Sequence, residues 1–232
     1  KYVETMRSVF SAARRVLKET GTLWLNLGDT YMSGGSPSRH HGYSDPKNKK
    51  GRNIDFHEPQ SNKHETIKPK DLVGIPWRVA LALQQDGWYL RSDIIWHKPN
   101  AMPESAQDRP TRDHEYIFLF SKNQKYYYDA DAIREPHTSL DDYNRRKNKM
   151  YSENITKGGT AEQQLGRNRG EFYHPKGRNK RTVWTIPTKP YPNSHFAVFP
   201  KQLVRQCVLA ACPENGIVLD PFCGSGTTLE VA

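Results

Sequence analysis

Apolar positions in the first eighteen residues recur at helical spacing. Val3, Met6, Val9, Phe10, Ala13 and Leu17 share one face, with Arg7, Arg14, Arg15 and Lys18 opposite. This predicts an amphipathic helix over 3–18, ended by Gly21. The period then changes. Thr22-Leu23-Trp24-Leu25-Asn26-Leu27-Gly28-Asp29 is a short apolar run closing in polar residues, which predicts a strand covered on both faces. A second helix is predicted over 70–85, with Leu72, Ile75, Pro76, Val79 and Leu83 on its core side and Gly87 breaking it. Trp88 to Asn100 is predicted as a strand followed by a loop, and Glu115 to Phe120 as another strand. The short connection over 101–112 lets these two pair antiparallel. Further on, Pro200 suits a first helical turn. Leu203, Val204, Cys207, Val208 and Ala211 recur as a stripe, predicted to be buried, along a helix to Cys212.

Two stretches have no period. Residues 32–68 are rich in Gly, Ser, Pro, His and Lys, and form a long insertion. Loops of that length are usually functional or disordered. Their histidines, His40, His41, His57 and His64, lack metal-ligand spacing and are expected to be solvated. Residues 134–181 are again polar. Arg145, Arg146, Lys147, Lys149, Arg167, Arg169, Arg178 and Lys180 alternate there with Tyr143, Tyr151, Phe172 and Tyr173. Basic residues interleaved with aromatics suit phosphate contacts plus packing on bases or sugars, and a solvated basic loop is the alternative. Trp184-Thr185-Ile186-Pro187 then returns to the core.

Composition narrows the classes. The formal charge of +10, from 35 Lys plus Arg against 25 Asp plus Glu, favours a polyanionic partner. The 232 residues suffice for one α/β domain with a sizeable core. No apolar run approaches the ~20 residues of a membrane span, so no membrane partner is expected. Cys207, Cys212 and Cys223 are odd in number and sit in apolar or turn contexts. They suit free thiols in a reducing cytoplasm, and no metal site is expected.

The densest chemistry lies at the end. Val218-Leu219-Asp220-Pro221-Phe222-Cys223-Gly224-Ser225-Gly226-Thr227-Thr228 has the order of a strand, a tight turn and a helix start, the helical pattern running over 229–232. Glycine permits positive φ and close approach of backbone to a ligand, and a helix N-terminus attracts polar or anionic groups. Dinucleotide sites use Gly-x-Gly-x-x-Gly. Here the third glycine is absent and Asp-Pro-Phe precedes the pair.

This string resembles the adenosylmethionine loop of the DNA amino-methyltransferases, which methylate adenine N6 or cytosine N4. Three further segments strengthen the resemblance: Trp96-His97-Lys98-Pro99-Asn100, Glu115-Tyr116-Ile117-Phe118-Leu119-Phe120 and His195-Phe196-Ala197-Val198-Phe199-Pro200. A cofactor loop placed last matches the permuted class of that family, whose catalytic half precedes its cofactor half. The resemblance implies an α/β, Rossmann-like, adenosylmethionine-dependent methyltransferase sheet with an antiparallel hairpin, circularly permuted and incomplete at both ends. It also implies a catalytic half over 1–136 with the 32–68 insertion, a target-recognition insertion over 137–182 and a cofactor-binding segment over 183–232.

By the same resemblance, S-adenosylmethionine would be held by Asp220, Pro221, Phe222, Cys223, Gly224, Ser225, Gly226, Thr227 and Thr228. Phe196, Ala197, Phe199 and Pro200 would close its methionine side. Many relatives have a lysine where Phe199 stands, so no lysine role is carried over; a helix start with a packed Phe199 is the alternative. The catalytic tetrapeptide, Asp/Asn/Ser-Pro-Pro-Tyr, occurs nowhere in the sequence and is expected before Lys1. Asn26 and Asp29, at a strand's carboxyl end, are the nearby cleft candidates; a capping or turn role for Asp29 is the alternative. Double-stranded DNA is the implied partner, with a cognate restriction endonuclease as a further one. An RNA or small-molecule methyltransferase, or a nucleic-acid-binding relic without catalysis, are the rival functions.

Overall fold

The computed structural model describes residues 1–32, 66–137, 176–189 and 198–232. The basic residues Arg145, Arg146, Lys147, Lys149, Arg167 and Arg169, and Phe196 and Ala197, lie outside the described residues, as do the four histidines of the first insertion.

The first helix, α1 (Tyr2–Val16), buries Met6 and Phe10. It stops before Lys18: the chain extends at Leu17, and the Gly21 amide closes the following turn on the Lys18 carbonyl at 2.9 Å. A Cβ on Gly21 would lie 2.5 Å from Leu17 Cγ, so the tight exit requires a residue without one. The strand β1 (Thr22–Leu27) follows. The next helix, α2 (Ile75–Gln85), begins five residues later than its apolar spacing suggests. Lys70 at φ 72° and Gly74 at φ 74° break any helix before Ile75, and Leu72 is exposed rather than in the core. Pro76 sits in the first turn of α2, where its missing amide costs nothing.

Strands β2 (Tyr89–His97) and β3 (His114–Ser121) form the expected antiparallel hairpin. A register shift between Leu90 and Ser92 accommodates Arg91. After a 3-10 turn at Asp131–Ile133 come β4 (Val183–Thr185), α3 (Lys201–Ala211) and α4 (Thr227–Val231). The sheet order is β1-β3-β2-β4. β3 runs antiparallel to both β1 and β2, and β4 runs parallel to β2. Hence β1, β2 and β4 share one direction and end on one edge.

Strand alternation sorts the core into two faces. Leu25 lies opposite Phe118 and Leu23 opposite Phe120. These side chains pack with Met6 and Phe10 of α1 and with Val79, Ala80 and Leu83 of α2. The intervening residues point the other way. Ile94, Trp96, Ile117, Trp184, Ile186 and Leu203 form the second cluster, with Trp24, Phe199 and Cys207 packed against it. The sheet is thus sandwiched between α1/α2 and α3. Trp184 and Ile186 return to the core as expected.

The stripe on α3 is buried only in part. Leu203 and Val204 are buried, whereas Cys207, Val208 and Ala211 are partly open because they line a cavity. Ala210, two turns on from Leu203 and on its side of the helix, is fully buried, and its carbonyl accepts the Asp129 amide at 2.8 Å. The apolar run before Asp220 is likewise not a strand. Residues 217–220 pair with no strand among the described residues, and Ile217 and Leu219 are 84% and 60% exposed.

Both long excursions leave and re-enter through paired backbone. Met32 donates to Asp71 at 2.8 Å, Lys70 to Met32 at 2.9 Å, and Val73 to Thr30 at 2.9 Å. Glu135 and Arg178 exchange both backbone hydrogen bonds, at 2.9 and 2.8 Å. Among the described residues, no helix is long and apolar enough to cross a membrane.

Candidate cofactor and target site

The 220–228 loop is held by its acidic residue. Asp220 Oδ1 accepts the Phe222 amide at 2.9 Å, and Asp220 Oδ2 accepts the Thr228 hydroxyl at 2.5 Å. One carboxylate therefore ties the turn to the first residues of α4. The Gly226 amide closes the turn on the Cys223 carbonyl at 2.7 Å. Gly224 and Gly226 have φ 49° and 82°, the left-handed region that glycine enters without strain. A Cβ built on Gly226 meets no atom within 4 Å, so the backbone there faces open space that a ligand could enter. Thr227 and Thr228 are buried beneath the loop, while Pro221, Phe222, Cys223 and Gly224 are exposed. Ser225 Oγ lies 3.2 Å from Thr227 Oγ1.

Helix α1 supports the loop from one side. The Phe10 and Phe222 rings sit 6.1 Å apart at 58°. Phe10 and Phe222 also border a cavity of about 260 Å³. Its walls are Leu23, Leu25 and Asn26 of β1, Phe199 and Cys207 near and on α3, and the 217–222 segment. It is mostly apolar, and Asn26 is one of its few polar groups. Asn26 Nδ2 donates to the Tyr116 carbonyl at 3.0 Å. Pro200 is buried as the N-terminal cap position of α3, with Phe199 beside it in the cavity wall. Burial pushes the Cys207 thiol up to about 12, so it stays protonated and acts as a small packed group. Cys223 is exposed, and all three cysteines are free.

Asp29 makes the hydrogen bonds of a cap. Its Oδ1 accepts the amides of Thr30 and Ile75, both at 2.9 Å. Its Oδ2 lies 3.8 Å from Arg112, and the side chain is 2% exposed. Gly74 at the head of α2 has no side chain to cap the helix, so a carboxylate from β1's end does it. Asp29→Ala is expected to destabilise the protein by about 1–3 kcal/mol, because a buried amide and Arg112 lose their acceptor. Urea unfolding checks this. Unchanged stability with lost activity would return Asp29 to the cleft.

Residues of the two segments that carried the resemblance gather where the parallel strands end. The Lys98 ammonium pairs with Glu115 and lies 4.3 Å from the Trp96 ring centroid. Hydrogen bonding to His114, with His97 nearby, holds the Asp113 carboxyl below its ordinary range. Of the candidate DNA-contacting residues, Arg178 and Lys180 lie among the described residues, and both pair with Glu135, at 3.2 and 3.3 Å.

The profile of the N6_N4_Mtase family, described as DNA methylase, matches residues 1–232. The chain is 48% identical to the type II methyltransferase M.SmaI of Serratia marcescens, over 98% of this chain and 64% of that protein. It is 45% identical to M.Cfr9I of Citrobacter freundii, over 98% of this chain and 62% of that protein. The chain thus spans 62–64% of the length of these curated relatives. The PvuII DNA methyltransferase (cytosine-N4-specific) has a similar fold, with a TM-score of 0.59 at 15% identity, over 100% of this chain and 62% of that one. A Thermus thermophilus protein described as a putative DNA modification methylase, complexed with S-adenosyl-L-methionine, gives a TM-score of 0.51 at 18% identity, over 100% of this chain and 66% of that one. The mixed α/β fold is therefore that of DNA methyltransferase structures, and the chain belongs to the N6_N4_Mtase family of DNA methylases.

Proposed function

We propose that the protein containing this chain is a site-specific DNA methyltransferase. It transfers a methyl group from S-adenosylmethionine to an exocyclic amine, cytosine N4 or adenine N6, of a flipped base. The observation that carries this is the 220–228 loop, where Asp220 fixes a turn whose two positive-φ glycines border open space. The bound cofactor would supply an electrophilic methyl group on sulfur. Asp220 to Thr228 would hold it, with Phe196, Ala197, Phe199 and Pro200 on its methionine side. Phe199 and the loop already border one cavity, which supports this placing.

The catalytic tetrapeptide is proposed to precede Lys1, on a strand seated between β1 and residues 217–220. Two facts support this. β1 is an edge strand with one side unpaired, and the cavity separates it from a segment that is likewise unpaired among the described residues. A strand there would pair with both and place its carboxyl end near Asn26. In this scheme the chain's own residues bind, orient and exclude water, and no covalent nucleophile is needed. Positioning amine and methyl group in line then supplies much of the rate. The base must leave the duplex to reach the site.

We further propose a permuted Rossmann-like arrangement, with a catalytic half over 1–136, a target-recognition insertion over 137–182 and a cofactor segment over 183–232. The basic 145–169 residues would contact DNA phosphates there. The ribose-binding acidic residue would follow Ala232. A cognate restriction endonuclease is the expected companion, given that the relatives are type II methyltransferases.

The test is incubation of the full-length protein with labelled S-adenosylmethionine and mixed-sequence duplex DNA, followed by nucleoside analysis. N4-methylcytosine or N6-methyladenine is the expected product. 5-Methylcytosine, or label in RNA alone, would overturn the proposal.

A further inference from the structure

The connection from β2 to β3 starts at the edge where the parallel strands end, and its own sequence makes it stiff. Lys98-Pro99-Asn100-Ala101-Met102-Pro103 carries two prolines. Each fixes its own φ and keeps the residue before it extended, and Met102 is one of those residues. Further contacts pin the connection at both ends. Asn100 Nδ2 donates to the Thr188 carbonyl, and Asn100 Oδ1 accepts the Thr188 amide, both at 2.9 Å. The Ala101 amide closes a turn on the Lys98 carbonyl at 3.1 Å. Farther along, Arg109 pairs with Glu104, and its guanidinium lies 3.9 Å from the Tyr31 ring centroid. Lys70 reaches Asp108 at 2.7 Å. Tyr31 and Lys70 stand on the outgoing and returning sides of the first excursion's stem, so the connection is tied to both.

On this pinned connection Met102 is 82% exposed. A lone apolar side chain in water is unremarkable where the backbone is slack. Here the backbone on both sides of it is held. Among the described residues, Ile217 is the one large apolar side chain that is more exposed, and it belongs to the 217–222 segment beside the cavity. The position of Met102 also fits a ligand, since ligands of open α/β sheets lie beyond the carboxyl ends of the strands. A base that leaves a duplex leaves a gap in the stack. Proteins that hold distorted DNA fill such gaps with an apolar wedge. A good wedge is unbranched, to slip between bases, and already extended, so that little freedom is lost on entry. Met102 before Pro103 meets both conditions. The Lys70–Asp108 pair beside it is exposed, so Lys70 can exchange its carboxylate for a phosphate at little cost.

We propose that Met102 is the wedge: it enters the duplex at the target position and occupies the space that the flipped base vacates. It acts on the DNA and not on the reacting atoms, so it is a positioning residue. This rests on the DNA methyltransferase reading proposed above and adds to it a residue on the DNA side.

The experiment compares wild type, Met102→Ala and Met102→Leu in the full-length protein, on two synthetic duplexes that carry the site mapped from the labelled product. In one duplex the target base is paired. In the other it faces an abasic position, so the pair is already broken and less work is left for a wedge. Met102→Ala is expected to lower kcat/KM about 30-fold on the paired duplex and less than about threefold on the abasic one. Met102→Leu keeps the volume and should stay within about threefold of wild type on both. Cofactor affinity by calorimetry and the melting temperature should match wild type in both variants. A Met102→Ala protein within about threefold of wild type on the paired duplex would overturn the proposal. So would an equal loss on the two duplexes, which marks a merely structural role. A wild-type protein that methylates neither duplex would overturn the methyltransferase reading itself, an outcome separable from a failure of Met102 alone.

Discussion

Gly226→Val in the full-length protein is expected to reduce S-adenosylmethionine affinity by about 100-fold or more while the protein still folds. Two effects combine. At φ 82° an L residue sits in the left-handed region, at a cost of about 1–2 kcal/mol and more for a β-branched side chain. That cost falls on the loop, since a Cβ at 226 meets no protein atom within 4 Å. The fold is therefore not overpacked by the change. What the side chain fills is the open space beside the backbone, where the proposed cofactor would approach. Losing two or three ligand hydrogen bonds of about 1 kcal/mol each accounts for the rest. Calorimetry gives the affinity, and a melting curve shows whether the fold survives. Undiminished affinity with an intact transition would remove the loop from the cofactor site.

The second large effect concerns chain length. The 232 residues expressed alone are expected to show turnover at least about 1,000-fold below that of the full-length protein, because the groups that align the target amine would be absent. The same species should also associate with itself. Ile217, Leu219 and Phe222 are exposed, and β1 presents an edge that is unpaired among the described residues. Such surface recruits other chains. Turnover measurements and light scattering on the two forms check both points. Robust methylation by the short form would place the catalytic residues within it.

Much of the fold could be read from period alone, and the departures have physical causes. The helix before Gly21 and the hairpin strands carry strong local patterns, and they form where expected. The start of α2 does not follow its apolar spacing. Leu72 fits a helical stripe, but Gly74 and Pro76 encode a later start, and that cue lay in Gly74-Ile75-Pro76. Val218 and Leu219 carry a strand's composition without a strand's pairing, since a ladder depends on a neighbour that local pattern cannot supply. β4 is three residues long, too short for alternation to show, and β1 beside β3 is a non-local pairing.

The site divides in the same way. The glycine loop was legible because its chemistry is contiguous. The Asp29 cap on α2 joins residues far apart in sequence, so the sequence offered a cap without showing which helix it serves. Arg178 and Lys180 looked like free cations in a basic run, but Glu135 was the partner that composition could not assign.

The Glu135–Arg178 backbone pair bears on how such a protein could acquire new target preferences. Lys180 and Arg178 converge on Glu135, and Arg134 donates to the Gly177 carbonyl at 3.0 Å, so the two ends of the excursion are fastened together on the core. Once ends are fastened, the entropy of what lies between them grows only logarithmically with length, by about 0.6 kcal/mol per doubling. Segments of quite different size could then be exchanged at this point with little penalty to the rest of the fold. The fastening would work as a socket: the inserted part could vary while the proposed cofactor loop stayed as it is.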